Sequence, residues 1–311
     1  MSGLRKAKPS AYFSKIVALA VIPFCFVDGK AVEFHNQCSQ TIWVGAQGNP
    51  LPFQGGFQLL SGETVSQDVT GTTTGGRFWA RTGCRNTTDG KFVCDTGDCG
   101  APANNFGIHC GGIGGQPPAT LIQFNFHEEN VKMFDMYDLS NVDGFNVGIK
   151  MEALGRDAVG FECGAPSCAM NISLCPPELR IVKGSSVMCA SICTAIHNAE
   201  HREKFPKLKK IYADKNTGAL VCCACLCPSN TAAECNCNNP VSKHCCSPSS
   251  RMAPAEQGTK CEVAKWPRAS NGQEYPRVFR DQCPQAYSWP FDEPSAYHCK
   301  RAEYRVTFCP Q

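Results

Sequence analysis

Two kinds of residue pattern divide the chain. From Val32 to about Ala153, apolar and polar positions alternate in short runs. In ATLIQFNF, Ile122, Phe124 and Phe126 fall on one face, with Leu121, Gln123 and Asn125 on the other. In FNVGIKM, Val147, Ile149 and Met151 alternate with Asn146, Gly148 and Lys150. Strand side chains point alternately to the two faces of a sheet. These runs, with TIWVGA and GRFWART, therefore predict half-buried strands punctuated by Gly, Asn and Pro. Many short strands of this kind pack as a sandwich or barrel. The last run, YRVTFC, alternates again through Tyr304, Val306 and Phe308, which predicts that the C-terminus returns to the same sheet.

Between Cys163 and Cys299 the alternation fades and cysteines crowd in. One stretch, SSVMCASICTAIHNAEHREKF, predicts a helix with Val187, Ile192 and Ile196 on its apolar side. Ser185 or Ser186 would cap that helix, and Pro206 would stop or kink it. The expected organisation is mainly β: a core domain at 32–157 plus 284–311, and a disulfide-rich lobe at 158–283. That lobe contains a cysteine-rich insertion at about 198–243 and is expected to carry one main helix.

Composition changes this picture at the N-terminus. Arg5, Lys6, Lys8 and Lys15 precede the apolar run IVALAVIPFCFV, and small residues follow at Gly29 and Ala31. This is the order of a secretory signal, so residues 1–31 are expected to be removed, with cleavage near Ala31. The run is short for a membrane span, so no stable membrane insertion is expected. The remaining chain has 25 basic and 26 acidic residues, a net charge of −1, and nothing global argues for nucleic acid.

Of 23 cysteines, Cys25 lies in the leader and 22 remain, an even number that reads as a disulfide framework in an oxidising compartment. Sequons at Asn86 and Asn171 fit a secreted glycoprotein surface. A secreted, extracellular monomer without cofactor or metal is the expectation.

Two strings carry chemistry. CDTGDCG, Cys94 to Gly100, reads either as a metal or acid site built on Asp95 and Asp98, or as a stapled turn capped by its aspartates. HNAEH places His197 and His201 four apart around Glu200, and on one helix face the two imidazoles could bind zinc. No third ligand accompanies them, so an exposed polar helix end followed by the solvated basic stretch REKFPKLKK is the expected form.

GKFVCDTGDCG resembles the signature segment of the thaumatin-like proteins, the pathogenesis-related, osmotin-like family. GGRFWARTGC, PPATLIQF, YDLSNVDGFNV, CPQAYSW and YRVTFCP resemble further family blocks in the same order, from about Val32 to Pro310. The resemblance implies a thaumatin-like flattened β-sandwich with an inserted disulfide-rich lobe. It also implies the pairings Cys38–Cys309, Cys84–Cys94, Cys99–Cys110, Cys163–Cys299, Cys168–Cys283, Cys175–Cys189, Cys193–Cys245 and Cys246–Cys261. Cys222, Cys223, Cys225, Cys227, Cys235 and Cys237 are left over, with fifteen possible pairings. Under that pattern neither sulfur of CDTGDCG is a thiolate. The motif then reads as a joint between bridged loops, with Asp98 fastening it through backbone N–H groups or an Arg.

The resemblance further implies an acidic cleft of one Arg, one Glu and three Asp that binds or weakly hydrolyses β-1,3-glucans. Carried over residue by residue, the Arg is Arg77 and two of the Asp are Asp138 and Asp143. The Glu position holds Gln123, and the third Asp position holds Gln285. Glycoside hydrolysis uses one carboxyl as acid and a second as base or nucleophile, and an amide can serve as neither. Amides still hydrogen-bond sugar hydroxyls, and fewer negative charges should leave Asp138 and Asp143 as ordinary ionised carboxylates. Tyr137, Phe145 and Tyr287, beside these positions, are candidates for stacking on sugar rings. The expected function is a secreted defence or stress protein that binds β-glucan or a related cell-wall polysaccharide without efficient hydrolysis. The alternatives are a weak endo-β-1,3-glucanase using Asp138 and Asp143, and a protein-interaction module acting through the 198–243 insertion.

Overall fold

The computed structural model describes residues 29–100, 108–128, 132–155, 163–222, 263, 266–290, 292, 296–300 and 302–311. One sheet is built on β1 (Gly29–Asn36), β4 (Thr64–Thr70), β11 (Ile149–Leu154), β12 (Ser167–Cys168) and β17 (Glu303–Phe308), in the order β12-β11-β17-β1-β4. A second contains β2 (Ile42–Asn49), β3 (Gly56–Leu59), β5 (Thr74–Arg81), β8 (Leu121–Asn125), β9 (Asp135–Ser140), β15 (Ala286–Tyr287) and β16 (Ala296–Cys299). Its order is β15-β9-β8-β5-β2-β3, with β16 also pairing with β9. Smaller pairings join β6 (Arg85–Asn86) to β7 (Phe92–Val93), and β10 (Gly144–Phe145) to β14 (Ser186–Ala190) and β13 (Arg180–Lys183).

Alternation in the sequence becomes alternation in burial. Ile122, Phe124 and Phe126 are buried while Gln123 and Asn125 are half-exposed, and Val147, Ile149 and Met151 are buried while Asn146 and Lys150 are not. The inner faces meet in an aromatic chain. Phe34 packs edge-on against Phe53, Phe57 and Phe78, and Phe124, Phe126 and Tyr304 continue it. The last strand does return to the first sheet: β17 runs parallel to β1, with Val32 opposite Tyr304 and Phe34 opposite Val306.

The disulfide-rich lobe departs from the expected single helix. The predicted helical stretch divides into strand β14, helix α1 (Ile192–His197) and helix α2 (Ala199–Glu203). Val187, expected on an apolar helix face, is an exposed strand residue paired with Val182. The cap is Ser191, whose hydroxyl accepts the Thr194 N–H, and Ser185 and Ser186 take no part. Pro206 begins helix α3 (Pro206–Ala213), where its missing N–H costs nothing. Helix α4 (Lys215–Cys222) follows, and α5 (Arg277–Arg280) lies further on. Part of the expected insertion, 198–222, is therefore helical. Among the described residues, no helix is long and apolar enough to cross a membrane.

Bridges Cys38–Cys309, Cys84–Cys94, Cys99–Cys110, Cys163–Cys299, Cys168–Cys283 and Cys175–Cys189 are present. Cys193 pairs with Cys222 and not with Cys245. The reason is local: α1 and α4 pack together, which brings the two Cα atoms to 4.7 Å, within bridging range. Cys245, Cys246–Cys261 and the remaining extra cysteines lie outside the described residues, as does the leader up to residue 28. Gly29, Lys30 and Ala31 are already strand residues paired with β4, and Lys30 forms a buried ion pair with Asp135 at 3.0 Å.

Candidate functional site

Three antiparallel strands set one polar row. β5 and β8 place Arg77 opposite Gln123, and β8 and β9 place Gln123 opposite Asp138. Opposed residues share a face, and their Cβ atoms stand about 4.5–5.5 Å apart. Alternation sends Phe78, Ile122, Phe124, Tyr137 and Leu139 into the core, so the Arg77–Gln123–Asp138 row occupies the other face. Gln47 of β2, opposite Arg77, extends the row. Its amide donates to the Gly112 carbonyl at 3.1 Å. Sequence reasoning missed Gln47, because only the strand register, not the alternation of TIWVGA, places it beside Arg77.

Asp143 comes from the loop after β9. That loop is held by the Thr194 hydroxyl of α1, which donates to the Asp143 carbonyl at 2.9 Å. Arg77 acts electrostatically on both Asp138 and Asp143, so the structure brings these three charges into one neighbourhood.

The two carboxyls are not ordinary. Burial raises the Asp138 pKa to about 7, and the attraction of Arg77 only partly offsets it. Burial raises Asp143 as well, again against Arg77. The expectation of ordinary ionised carboxylates is corrected, because desolvation and not like-charge repulsion dominates here. Asp138 is 9% exposed, and its Oδ1 has no hydrogen-bond partner among the described residues.

Gln285 sits just before β15, exposed, with its Oε1 accepting the Ser167 N–H at 3.2 Å. Tyr287 is half-buried, opposite Ser140. The other two aromatic candidates are corrected. Tyr137 is fully buried against Tyr297 and Tyr304 and donates to the Gly164 carbonyl at 2.6 Å, and Phe145 is 5% exposed in the core. Neither can present a ring face to a sugar.

HNAEH is not one helix face. Asn198, with extended backbone (φ −76°, ψ 100°), ends α1, and its side chain caps α2 by accepting the His201 N–H. The buried His201 ring bonds the Glu178 carbonyl through Nε2 at 2.8 Å, and Glu200 pairs with Lys204 at 2.9 Å. His197 instead lies near the sulfurs of Cys193 and Cys222, all within 4.8 Å of one another, but those sulfurs are bonded to each other.

CDTGDCG is a bridged joint whose main fastener is Asp95, a correction of the expectation for Asp98. Asp95 is buried, pairs with Arg85 at 2.6 Å, and is enclosed by Gly83 and Gly184. A Cβ on either glycine would come within 2.3 or 2.1 Å of its Oδ2. Asp98 does meet an Arg, since it stabilises the charge of the buried Arg81 guanidinium, whose pKa burial lowers to about 10. Asn86 and Asn171, the sequon residues, are exposed.

The chain matches the family model described as "Thaumatin family" over residues 36–205. It is similar to "Thaumatin-like protein 2" of Prunus persica, with 31% identity over 299 residues covering 94% of this chain and 96% of the relative. It is also 30% identical to "Pathogenesis-related thaumatin-like protein 3.5" of Cryptomeria japonica over 307 residues, covering 97% and 98% of the two chains. "Thaumatin-like protein 1" of Arabidopsis thaliana shares 31% identity over 294 residues, covering 91% and 87%. With its ordered sequence blocks, mainly β fold and disulfide framework, the chain belongs to the thaumatin family.

Proposed function

We propose that this protein is secreted, acts in defence, and binds β-1,3-glucan or a related cell-wall polysaccharide along the Arg77–Gln123–Asp138 row and Asp143. The observation that carries this is the row itself: a guanidinium, an amide and a carboxyl in register across three rigid strands, facing away from the core. Strand-borne polar groups lose little freedom when a ligand binds, and together they offer both donors and acceptors to sugar hydroxyls. The fourteen described disulfide cysteines suit an oxidising compartment. Arg77→Ala removes the cation and up to five donors, so retention on insoluble β-1,3-glucan should fall about tenfold. Unchanged retention would count against this cleft.

A second reading, weak endo-β-1,3-glucanase activity, draws support from Asp138. A carboxyl with pKa about 7 is still half protonated at neutral pH, as a general acid must be. A readily ionised second carboxylate is what the site lacks: Gln123 cannot ionise, and burial raises the Asp143 pKa against the attraction of Arg77. Gln123→Glu supplies the missing group and should raise reducing-end release from β-1,3-glucan. No gain would mean that the amide is not what limits hydrolysis.

A further inference from the structure

Beside Asp143 lies a cavity of about 70 Å³, walled by α1, α4 and the segments around Trp266, Phe279 and Trp289. We propose that this cavity takes the acetamido group of an N-acetylhexosamine residue, so that the cleft accepts N-acetylated glycans as a ligand class. The proposal rests on the cleft being a saccharide site, and it adds a requirement at one position of the bound chain.

Size is the first reason. One water-sized probe occupies about 10–15 Å³, so the cavity holds roughly five non-hydrogen atoms, whereas a whole hexose has about a dozen. The occupant is a substituent and the ring stays outside. An acetamido group, with its nitrogen, two carbons and oxygen, fits that volume.

Chemistry is the second. The walls offer indole and phenyl surfaces of Trp266, Phe279 and Trp289, the aliphatic Val221, and the Cys193–Cys222 bridge, all suited to a methyl group. Two lining residues carry buried polar atoms without a partner among the described residues: the Trp266 indole N–H and the Ser288 hydroxyl. Buried donors left unpaired are costly and uncommon, and an acetyl carbonyl oxygen would satisfy them. Asp143 also lines the cavity, and its carboxyl can accept the amide N–H. An O-acetyl ester lacks that N–H, which selects the amide. Val221 and Cys222 belong to α4, so the segment that the sequence marks as an addition to the family pattern builds one wall.

The test compares fully N-acetylated chitotetraose (chitotetraose below), cellotetraose and laminaritetraose on the full chain by titration calorimetry. The first two share their β-1,4 linkage and differ only in bearing acetamido or hydroxyl at C2. Chitotetraose should bind at least about tenfold more tightly than cellotetraose. Trp266→Phe and Ser288→Ala, which each remove one unpaired polar group, should each weaken chitotetraose about three- to tenfold and leave laminaritetraose unchanged. Equal affinity for chitotetraose and cellotetraose overturns the proposal without any variant. Laminaritetraose binding without that preference overturns it while the polysaccharide reading stands, and failure of all three sugars overturns both. Variants with a wild-type circular dichroism spectrum and unaltered chitotetraose affinity also overturn it.

Discussion

A carboxyl on the outer face of a sheet ordinarily ionises near pH 4, but Asp138 is surrounded closely enough that the charged form loses its hydration. Its sign for stability follows. Between about pH 4 and 7 the folded chain holds a proton on Asp138 that the unfolded chain has released, so stability falls as pH rises through that window. The slope from this one group is at most about 1.4 kcal/mol per pH unit and vanishes above the window. Asp143 adds the same sign. Melting temperatures at pH 5 and pH 8 should therefore differ less for Asp138→Asn than for wild type, and an identical difference would show that Asp138 is not buried as described. The identities of Arg77, Asp138 and Asp143 were legible in the sequence, as was the amide at Gln123. Their ionisation was not. Counting charges along a motif registers repulsion between neighbours, whereas desolvation depends on which distant loops cover the site, and no local string carries that.

At the scale of elements, strands read more truly than helices. Period-two alternation reports directly which face of a sheet is buried, and β8, β11 and β17 follow it over most of their length, with the buried Leu121 and Thr307 and the half-buried Ala153 as departures. The helical reading of 185–205 holds for 192–197 and 199–203 but misses strand β14 and the break at Asn198, because short apolar spacings fit both periods, and because the polar Ser191 and Asn198 read as interior positions when they are caps. Proline misled in the same way, by starting α3 where a stop was expected. The altered Cys193 bridge has a related cause. Pairing by resemblance assumes the family's connection, and here the helical turn through α2, α3 and α4 returns Cys222 to α1. Non-reducing peptide mapping by mass spectrometry should find Cys193 linked to Cys222, and a Cys193–Cys245 peptide would contradict the packing of α4 on α1.

Over the whole molecule, the two ends of the described chain are one structural unit. β1 and β17 lie side by side and the Cys38–Cys309 bridge closes a separation of 271 residues, which leaves β5, β8 and β9 as a braced platform for the polar row. That global closure was legible in the final YRVTFC alternation, but the cavity beside Asp143 was not, since its walls come from segments spread between Val142 and Pro290. The proposed function rests on a platform that keeps Arg77, Asp138 and Asp143 in one neighbourhood, with an amide at Gln123 between the first two. The most direct test is to incubate the purified protein with insoluble β-1,3-glucan and measure, in the same tubes, the protein retained and the reducing ends released. Retention with negligible release is the predicted result. Release of reducing sugar that Asp138→Asn abolishes would contradict it.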